Sequence, residues 1–203
     1  MNTEMLDELW RSWAERGAVL TAEQWATPTR LPGWSVRALF AHVAPDPAIM
    51  ATMRDAQVTG PPVAVHGAEI LRIFNAPGGL AHTAADDIAV QASETAEDID
   101  TDALLRRFTE DGPRALAELG DIDPATVLPH PHLGAVTYQA LLEVAIVDLA
   151  VHLLDLIAAV AGPPVPQATL RSVVQVLAAV PDPVDFIEAA TGRSASAVLP
   201  VMR

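Results

Sequence analysis

The most apolar segment of the chain carries charged and titratable residues, among them Asp148, His152 and Asp155. The segment LLEVAIVDLAVHLLDLIAAV, residues 141–160, places Asp148 four residues before His152 and Asp155 three residues after it. Residues three or four positions apart share one face of a helix, with Cβ atoms about 5–6 Å apart. Helix bundles build metal sites from carboxylates and imidazoles that project inward from neighbouring turns. The spacing therefore predicts either a pair of metal ligands or a buried ion pair.

A third metal ligand would have to come from another helix, because two protein ligands are too few for a tight site. His42 is the best placed residue, since it lies in the apolar segment VRALFAHVA, residues 36–44. A single histidine on such a helix is more often a hydrogen-bonded core residue, so both roles stay open for His42. Glu143 shares a helix with Asp148 but falls on a different face by helical geometry.

The remaining histidines give weaker signals. His130 and His132 alternate in the loop sequence PHPHLG, which favours exposure to solvent, or a place at the mouth of a site in an enzyme. His66 and His82 have no partner that the sequence reveals. None of these four is predicted to bind a metal.

Two arginines flank a Pro-Gly-Trp sequence at residues 32–34. Arg30 and Arg37 carry charges that could hold an anionic substrate, although exposure at the surface is the simpler expectation. The aromatic residues expected to pack in the core rather than to form a stacking platform are Trp10, Trp13, Trp25 and Trp34.

Composition excludes several kinds of protein. The formal net charge is −14 and all 12 basic residues are arginines, so the averaged field repels nucleic acids and anionic membranes. The absence of lysine excludes Schiff-base chemistry, and the absence of cysteine excludes disulfides, thiolate metal sites and cysteine nucleophiles. The first ten residues, MNTEMLDELW, lack the basic and apolar regions of a secretory signal, which predicts a cytoplasmic protein.

Residues 141–160 are not expected to cross a membrane. An aspartate at the centre of a span costs about 2.5–3.5 kcal/mol, and this segment holds three acids and a histidine. We expect instead the most buried helix of a helical bundle, over about 137–161. The positions expected to be inaccessible to solvent on this helix are Val144, Ile146, Val151 and Leu154.

The elements around this helix are predicted to be helical as well. Thr21 and Gln24 form a capping box, and Ser35 can cap the helix that carries His42. Pro45 should end that helix near Ala44, because its ring collides with the carbonyl oxygen four residues earlier. Further helices are expected from Asp46-Pro47 onward and over about 3–20, 66–75, 102–119 (kinked or divided at Gly112-Pro113), 167–180 and 182–192.

No alternating pattern typical of strands occurs, and the sequence DIDPATVLPHPHLGAV, residues 121–136, predicts a long turn. The predicted fold is therefore all-α. The predicted division is a helical bundle over residues 1–162 and a C-terminal helical extension, residues 163–203, packed on the same domain.

Two motifs resemble those of a known family. The segment EQWATPTRLPGWSVRALFAHVA, residues 23–44, joins a tryptophan, Pro-Thr and Pro-Gly-Trp-Ser-Val to His42. The segment DLAVHLLDL, residues 148–156, follows later, and TGR at 191–193 is a third point of likeness. Together these are similar to the mycothiol-dependent maleylpyruvate isomerase-like proteins, a branch of the DinB-like four-helix bundles. The resemblance implies that bundle, with additional short C-terminal helices here.

The resemblance also implies a metal site. Its ligands carry over as His42, Asp148 and His152, and the family's metal is usually zinc, with water or a thiol in the open position. Residues expected beside the ligands or in the pocket are Asp155, Arg37 and Trp34. The chain departs from the family at Asp148, where a glutamate is usual, so this carboxylate reaches about one methylene less far. Pro45, Asp46 and Pro47 also follow His42 closely.

The implied function is that of a metal-dependent thiol transferase or isomerase. The thiol would be mycothiol, because the chain has no cysteine of its own, and the substrate would be a small electrophile. A homodimer is compatible with this function. The family's isomerase also has an α/β C-terminal domain, which we do not expect in 203 residues. The alternative is a non-enzymatic metal-binding bundle with a stress-response or interaction role.

Overall fold

Helices dominate the computed structural model, which describes residues 3–53, 56–120, 122–194, 198 and 200–201. They are α1 Thr3–Gly17, α2 Ala22–Trp25, α3 Val36–Val43, α4 Pro47–Met53, α5 Gly67–Asn75, α6 Leu80–Thr83, α7 Ala85–Asp98, α8 Thr101–Arg106, α9 Gly112–Leu119, α10 Tyr138–Val160, α11 Gln167–Ala178 and α12 Pro183–Ala190. A π-helical turn, Arg107–Asp111, joins α8 to α9. The prediction of an all-α fold is confirmed.

The exception is a short antiparallel hairpin, β1 Val127–His130 and β2 Gly134–Thr137. The prediction of a long turn over residues 121–136 was therefore wrong for these strands. Each strand has only four residues, which is too short to show a period of two. Tertiary contacts stabilise the hairpin, since Val63 N–H donates to the Ala135 carbonyl at 2.7 Å.

The long helix α10 is the centre of the bundle. Its N-terminus is capped by Thr137, whose side chain accepts a hydrogen bond from Ala140 N–H. The helix packs against α1, α3, α5 and α11, so neighbours surround it on several sides. Within the described residues, no helix has the length and apolarity that crossing a bilayer requires.

The exposed face of α10 differs from the prediction. Ile146 is fully buried, but Val144 and Val151 are only partly buried and Leu154 is 39% exposed. The prediction that Leu154 is inaccessible was wrong. A helix that is apolar on every side has no periodicity to mark the side that faces solvent.

The helix that carries His42 has the predicted ends. Ser35 accepts a hydrogen bond from Ala38 N–H, which caps α3, and the backbone becomes extended at Ala44. Asp46 then accepts hydrogen bonds from the first free N–H groups of α4. His42 therefore lies in the last turn of α3, after the cap at Ser35 and before the cap of α4 at Asp46.

Gly112 and Pro113 divide the segment after α8, as predicted. The wide turn Arg107–Asp111 directly precedes them. A π turn relieves the collision between a proline ring and the carbonyl oxygen four residues earlier. A Cβ atom at Gly112 would lie 2.5 Å from Pro45 Cγ, so only glycine allows this approach between the two segments.

A glutamate of α10 fixes the start of α5. Glu143 Oε2 accepts a hydrogen bond of 2.6 Å from Gly67 N–H, the first residue of α5. A Cβ atom at Gly67 would lie 2.7 Å from Glu143 Cβ, which is too close for any side chain. The absence of a side chain at Gly67 therefore allows α5 and α10 to approach each other here. Glu143 therefore has a structural role away from the face of Asp148, in agreement with the helical geometry.

The segment after α10 lies against the bundle. Helix α11 packs against α10 and α5. Arg72 of α5 donates hydrogen bonds of 2.8 Å to the carbonyl oxygens of Ala179 and Val180 at the C-terminal end of α11. A cation at this end also compensates the partial negative charge of the helix dipole.

Two adjacent leucines of α10 test this packing. Leu153 is fully buried, whereas its neighbour Leu154 is 39% exposed. We expect Leu153→Ala to lower the free energy of unfolding by about 2–5 kcal/mol, because it leaves a cavity in the core. Leu154→Ala should cost about 1 kcal/mol or less, since much of its surface already faces water. Urea denaturation followed by circular dichroism measures both, and equal losses would contradict the packing described here.

Candidate metal centre

The three predicted ligands meet where α3 packs against α10. Asp148 Oδ2 lies 3.6 Å from His42 Nε2, and Asp148 Oδ1 lies 3.4 Å from His152 Nε2. The ligand atoms of the three side chains all lie within 4.8 Å of one another. Among the described residues, this is the one group of three or more histidine, cysteine or acidic side chains with such a geometry.

These separations suit coordination better than hydrogen bonding. A normal N–H···O hydrogen bond spans about 2.7–3.2 Å, which is shorter than both contacts. Two ligand atoms bonded to one tetrahedral zinc ion, at about 2.1 Å each, are about 3.4 Å apart. The group formed by His42, Asp148 and His152 could therefore hold a divalent metal ion.

Asp155 fixes the orientation of the His152 ring. Its carboxylate is 2% exposed, and its Oδ2 lies 2.9 Å from His152 Nδ1. With Nδ1–H donated to Asp155, the Nε2 atom of His152 is left toward Asp148. A buried carboxylate behind a histidine is the usual way in which proteins orient a metal-binding imidazole.

Arg30 holds Asp155 in turn. Its Nε donates to Asp155 Oδ1 at 2.5 Å, although the arginine side chain itself is 58% exposed. The sequence suggested either surface exposure or an anionic substrate for Arg30. The side chain is exposed, as the simpler expectation had it, and its charge is paired with a protein carboxylate, so the chain Arg30–Asp155–His152 runs from the surface to the candidate centre.

The protonation states of the three ligands differ in the metal-free protein. Burial lowers the pKa of His42, which favours the neutral imidazole that a metal requires. Burial raises the pKa of Asp148, but the neighbouring His152 and the charges of His152 and His42 outweigh it and leave the pKa below its usual value. Burial likewise lowers the pKa of His152, yet the neighbouring carboxylates of Asp148 and Asp155 outweigh it and raise the pKa to about 9.

Trp34 packs on the imidazole rings of His42 and His152, two of the three candidate ligands. Its ring centroid lies 5.0 Å from that of His42 in an edge-to-face arrangement. It lies 6.0 Å from that of His152 and is nearly parallel to it. The loop holds Trp34 in place, since Thr29 N–H donates to its carbonyl oxygen at 2.8 Å.

Arg37 lies elsewhere, contrary to its predicted place beside the ligands. Its guanidinium donates to the carbonyl oxygens of Ala96 and Ile99 and to the hydroxyl of Thr101. Arg37 therefore ties α3 to the junction of α7 and α8. Five residues separate it from His42, which places the two side chains about 140° apart around α3.

The other histidines are outside the centre. His66 Nδ1 lies 3.7 Å from Glu143 Oε1, and His82 Nε2 lies 3.3 Å from the Asn75 carbonyl oxygen. The rings of His130 and His132 lie 6.0 Å apart in the hairpin turn, and His130 Nδ1 accepts a hydrogen bond from His132 N–H. His132 is exposed and His130 is half-buried, and neither lines the cavity beside the candidate centre.

A cavity of about 480 Å³ begins at the candidate centre. His42 and Asp148 form part of its wall. Two further polar residues of the wall, Arg107 and Tyr138, were not singled out in the sequence. Arg107 follows Arg106 in the sequence LLRRF, and nothing in that pattern distinguishes an arginine at a cavity from one in solvent.

The fold and the site together define a helical bundle with two histidines and an aspartate that converge between two of its helices. A family model described as the mycothiol maleylpyruvate isomerase N-terminal domain matches residues 6–157, and the chain belongs to this family. The family and the DinB-like fold that the two motifs predicted are therefore confirmed. No curated protein and no solved structure matches the chain.

The metal-free protein should lose stability as the pH rises from about 7 to about 9.5. A group with a raised pKa in the folded protein stabilises it fully below its unfolded pKa, about 6.5 for histidine, and this stabilisation is lost above the folded value. For His152 that folded value is about 9. Few other groups titrate in this range, because the chain has no lysine and no cysteine.

Thermal unfolding in the presence of a chelator, followed across this pH range, measures the effect. The decline should be smaller in His152→Gln, which has no proton to lose, and should persist in His82→Gln as the matched control. An equally steep decline in His152→Gln would assign it to another group.

Proposed function

We propose that the protein binds one zinc ion through His42, Asp148 and His152 and uses mycothiol to isomerise, or to transfer a group on, a small electrophilic substrate. The observation that carries the proposal is the pair of distances from Asp148 to the two histidines, 3.6 and 3.4 Å. Each histidine faces a different oxygen of the carboxylate, and one ligand atom from each of the three side chains lies within 4.8 Å of the others, as a shared ion requires. Membership of the mycothiol maleylpyruvate isomerase family supports the thiol.

The ligand set favours a catalytic rather than a structural zinc site. Catalytic sites have three protein ligands and leave one position open, whereas structural sites have four. When bound, the ion would supply a Lewis acid that lowers the pKa of a thiol or water in that position. The absence of cysteine means that a sulfur ligand would have to come from outside the chain.

The surrounding residues prepare the ligands for this role. Asp155 holds the proton of His152 at Nδ1, so that Nε2 can bind the ion. Trp34 packs on both imidazoles and restricts their rotation. His42 and Asp148 line the cavity, so the open position has space for an external molecule.

Asp148 in place of the family's usual glutamate is compatible with this site. The shorter side chain requires a closer approach of its helix to the two histidines. Helix α10 packs directly against α3, and the carboxylate oxygens of Asp148 already lie within 3.6 Å of both imidazoles. The reach of this aspartate is therefore sufficient.

Replacement of zinc by cobalt tests both parts of the proposal. Cobalt-loaded protein should show the visible bands of a four-coordinate ion, and added mycothiol should produce a near-ultraviolet band from sulfur bound to cobalt. His42→Ala should lose most of the metal, while His82→Ala should behave like the unchanged protein.

Absence of metal binding in titrations with zinc and cobalt would overturn the proposal and leave His42, Asp148 and His152 as a structural cluster. Metal binding without any response to the thiol would overturn its mycothiol part. The non-enzymatic metal-binding bundle would then be the better description.

Asp155 should control the affinity for zinc although it is not a ligand. Asp155→Ala frees the His152 ring to rotate and to change tautomer, and loss of such a carboxylate typically costs about 10- to 100-fold in metal affinity. Titration calorimetry with zinc measures the change. Asp185→Ala, at an exposed position of α12, is the matched control, and equal affinities of the two variants would contradict the assigned role.

A further inference from the structure

The cavity beside the candidate centre has a largely apolar wall. Residues from α1, α3, α4, α7, α9 and α10 contribute to it, and its volume is about 480 Å³. Apolar side chains that line it include Met50, Met53, Ile88, Leu116 and Leu141. Two of them are methionines, whose unbranched side chains adapt to the shape of a ligand. Such a wall suits the apolar part of a ligand. A polar group of the same ligand would have to bind to one of the few polar residues of the wall.

Arg107 is the cation of this wall. It lies at the start of the π-helical turn, a feature that is frequent at functional sites. Within the described part of the chain, its guanidinium has no hydrogen-bonding or ion-pair partner. The two acids of the wall are engaged elsewhere: Asp46 accepts hydrogen bonds from Ala48 and Ile49 N–H at the start of α4, and Asp148 faces His42 and His152. The charge of Arg107 is therefore available to a ligand.

Tyr138 is a second unused polar group of the same wall. The residue is 7% exposed, and its hydroxyl has no hydrogen-bond partner among the described residues. Because Tyr138 lines the cavity, this hydroxyl can bond to a molecule bound there. Tyr138 and Asp148 are ten residues apart on α10, or about 15 Å along its axis. The cavity is therefore elongated along this helix.

We infer that the cavity binds an elongated apolar molecule with a single carboxylate, and that Arg107 is the residue that selects it. This substrate class deepens the proposed function and rests on it. A guanidinium matches a carboxylate with two parallel hydrogen bonds, and an apolar site strengthens this contact. The net charge of −14 repels anions elsewhere on the protein, so the isolated cation in the cavity gives the selectivity.

Octanoate and its uncharged analogue octanamide are suitable probes. Calorimetry on metal-free protein should detect octanoate binding, with octanamide roughly 10- to 100-fold weaker because it lacks the charge. Arg107→Gln should weaken octanoate binding by a similar factor and leave octanamide unchanged. Arg106→Gln is the matched control, since this neighbouring arginine is exposed and does not line the cavity. Tyr138→Phe should weaken octanoate binding by a smaller factor.

The metal-free measurement separates this inference from the proposed function. If zinc does not bind but Arg107 still controls octanoate binding, the cavity assignment holds while the metal centre fails. Octanoate binding that requires zinc and is insensitive to Arg107→Gln would place the carboxylate on the metal and overturn the inference. Equal affinities for octanoate and octanamide, or no binding of either, would overturn it as well.

Discussion

The requirement that every polar group on a buried apolar helix finds a partner shapes much of this structure. Helix α10 lies in the middle of the bundle, where an unpaired carboxylate or imidazole would be strongly unfavourable. Glu143 meets the requirement by capping α5, and Asp155 meets it through His152 and Arg30. Asp148 meets it through His42 and His152, each of which faces one of its carboxylate oxygens at 3.6 and 3.4 Å. This is the carboxylate that the proposed metal site would use.

The same requirement explains why the His152 ring is oriented before any ion binds. Asp155 is almost completely buried and is held from both sides, so the His152 ring cannot rotate freely. Trp34 covers both imidazoles from the loop before α3. An ion would therefore meet a His152 ring that is already oriented, which favours affinity.

The cavity and the candidate centre have complementary chemistry. The centre has two imidazoles and a carboxylate, which suit a metal and a thiol, whereas the cavity has an apolar wall with one unpaired guanidinium. His42 and Asp148 belong to both, so in the proposed function a molecule in the cavity would lie beside the thiol. An electrophile and a nucleophile held next to each other gain the rate advantage of proximity.

The sequence by itself determined the local features of this protein. The caps at Ser35 and Thr21, the helix stop before Pro45 and the shared face of Asp148 and His152 follow from interactions within a few residues, and the two motifs placed His42 with them. Tertiary structure decided the rest, because it depends on which surfaces meet. It chose the exposed side of α10, where Leu154 lies, since an apolar helix has no preferred face of its own. It paired Arg30 with Asp155 across 125 residues, turned Arg37 toward α7 and α8, and left Arg107 without a partner at a cavity wall. The sequence does not distinguish these three arginines, and only the packing of distant elements gives each its surroundings.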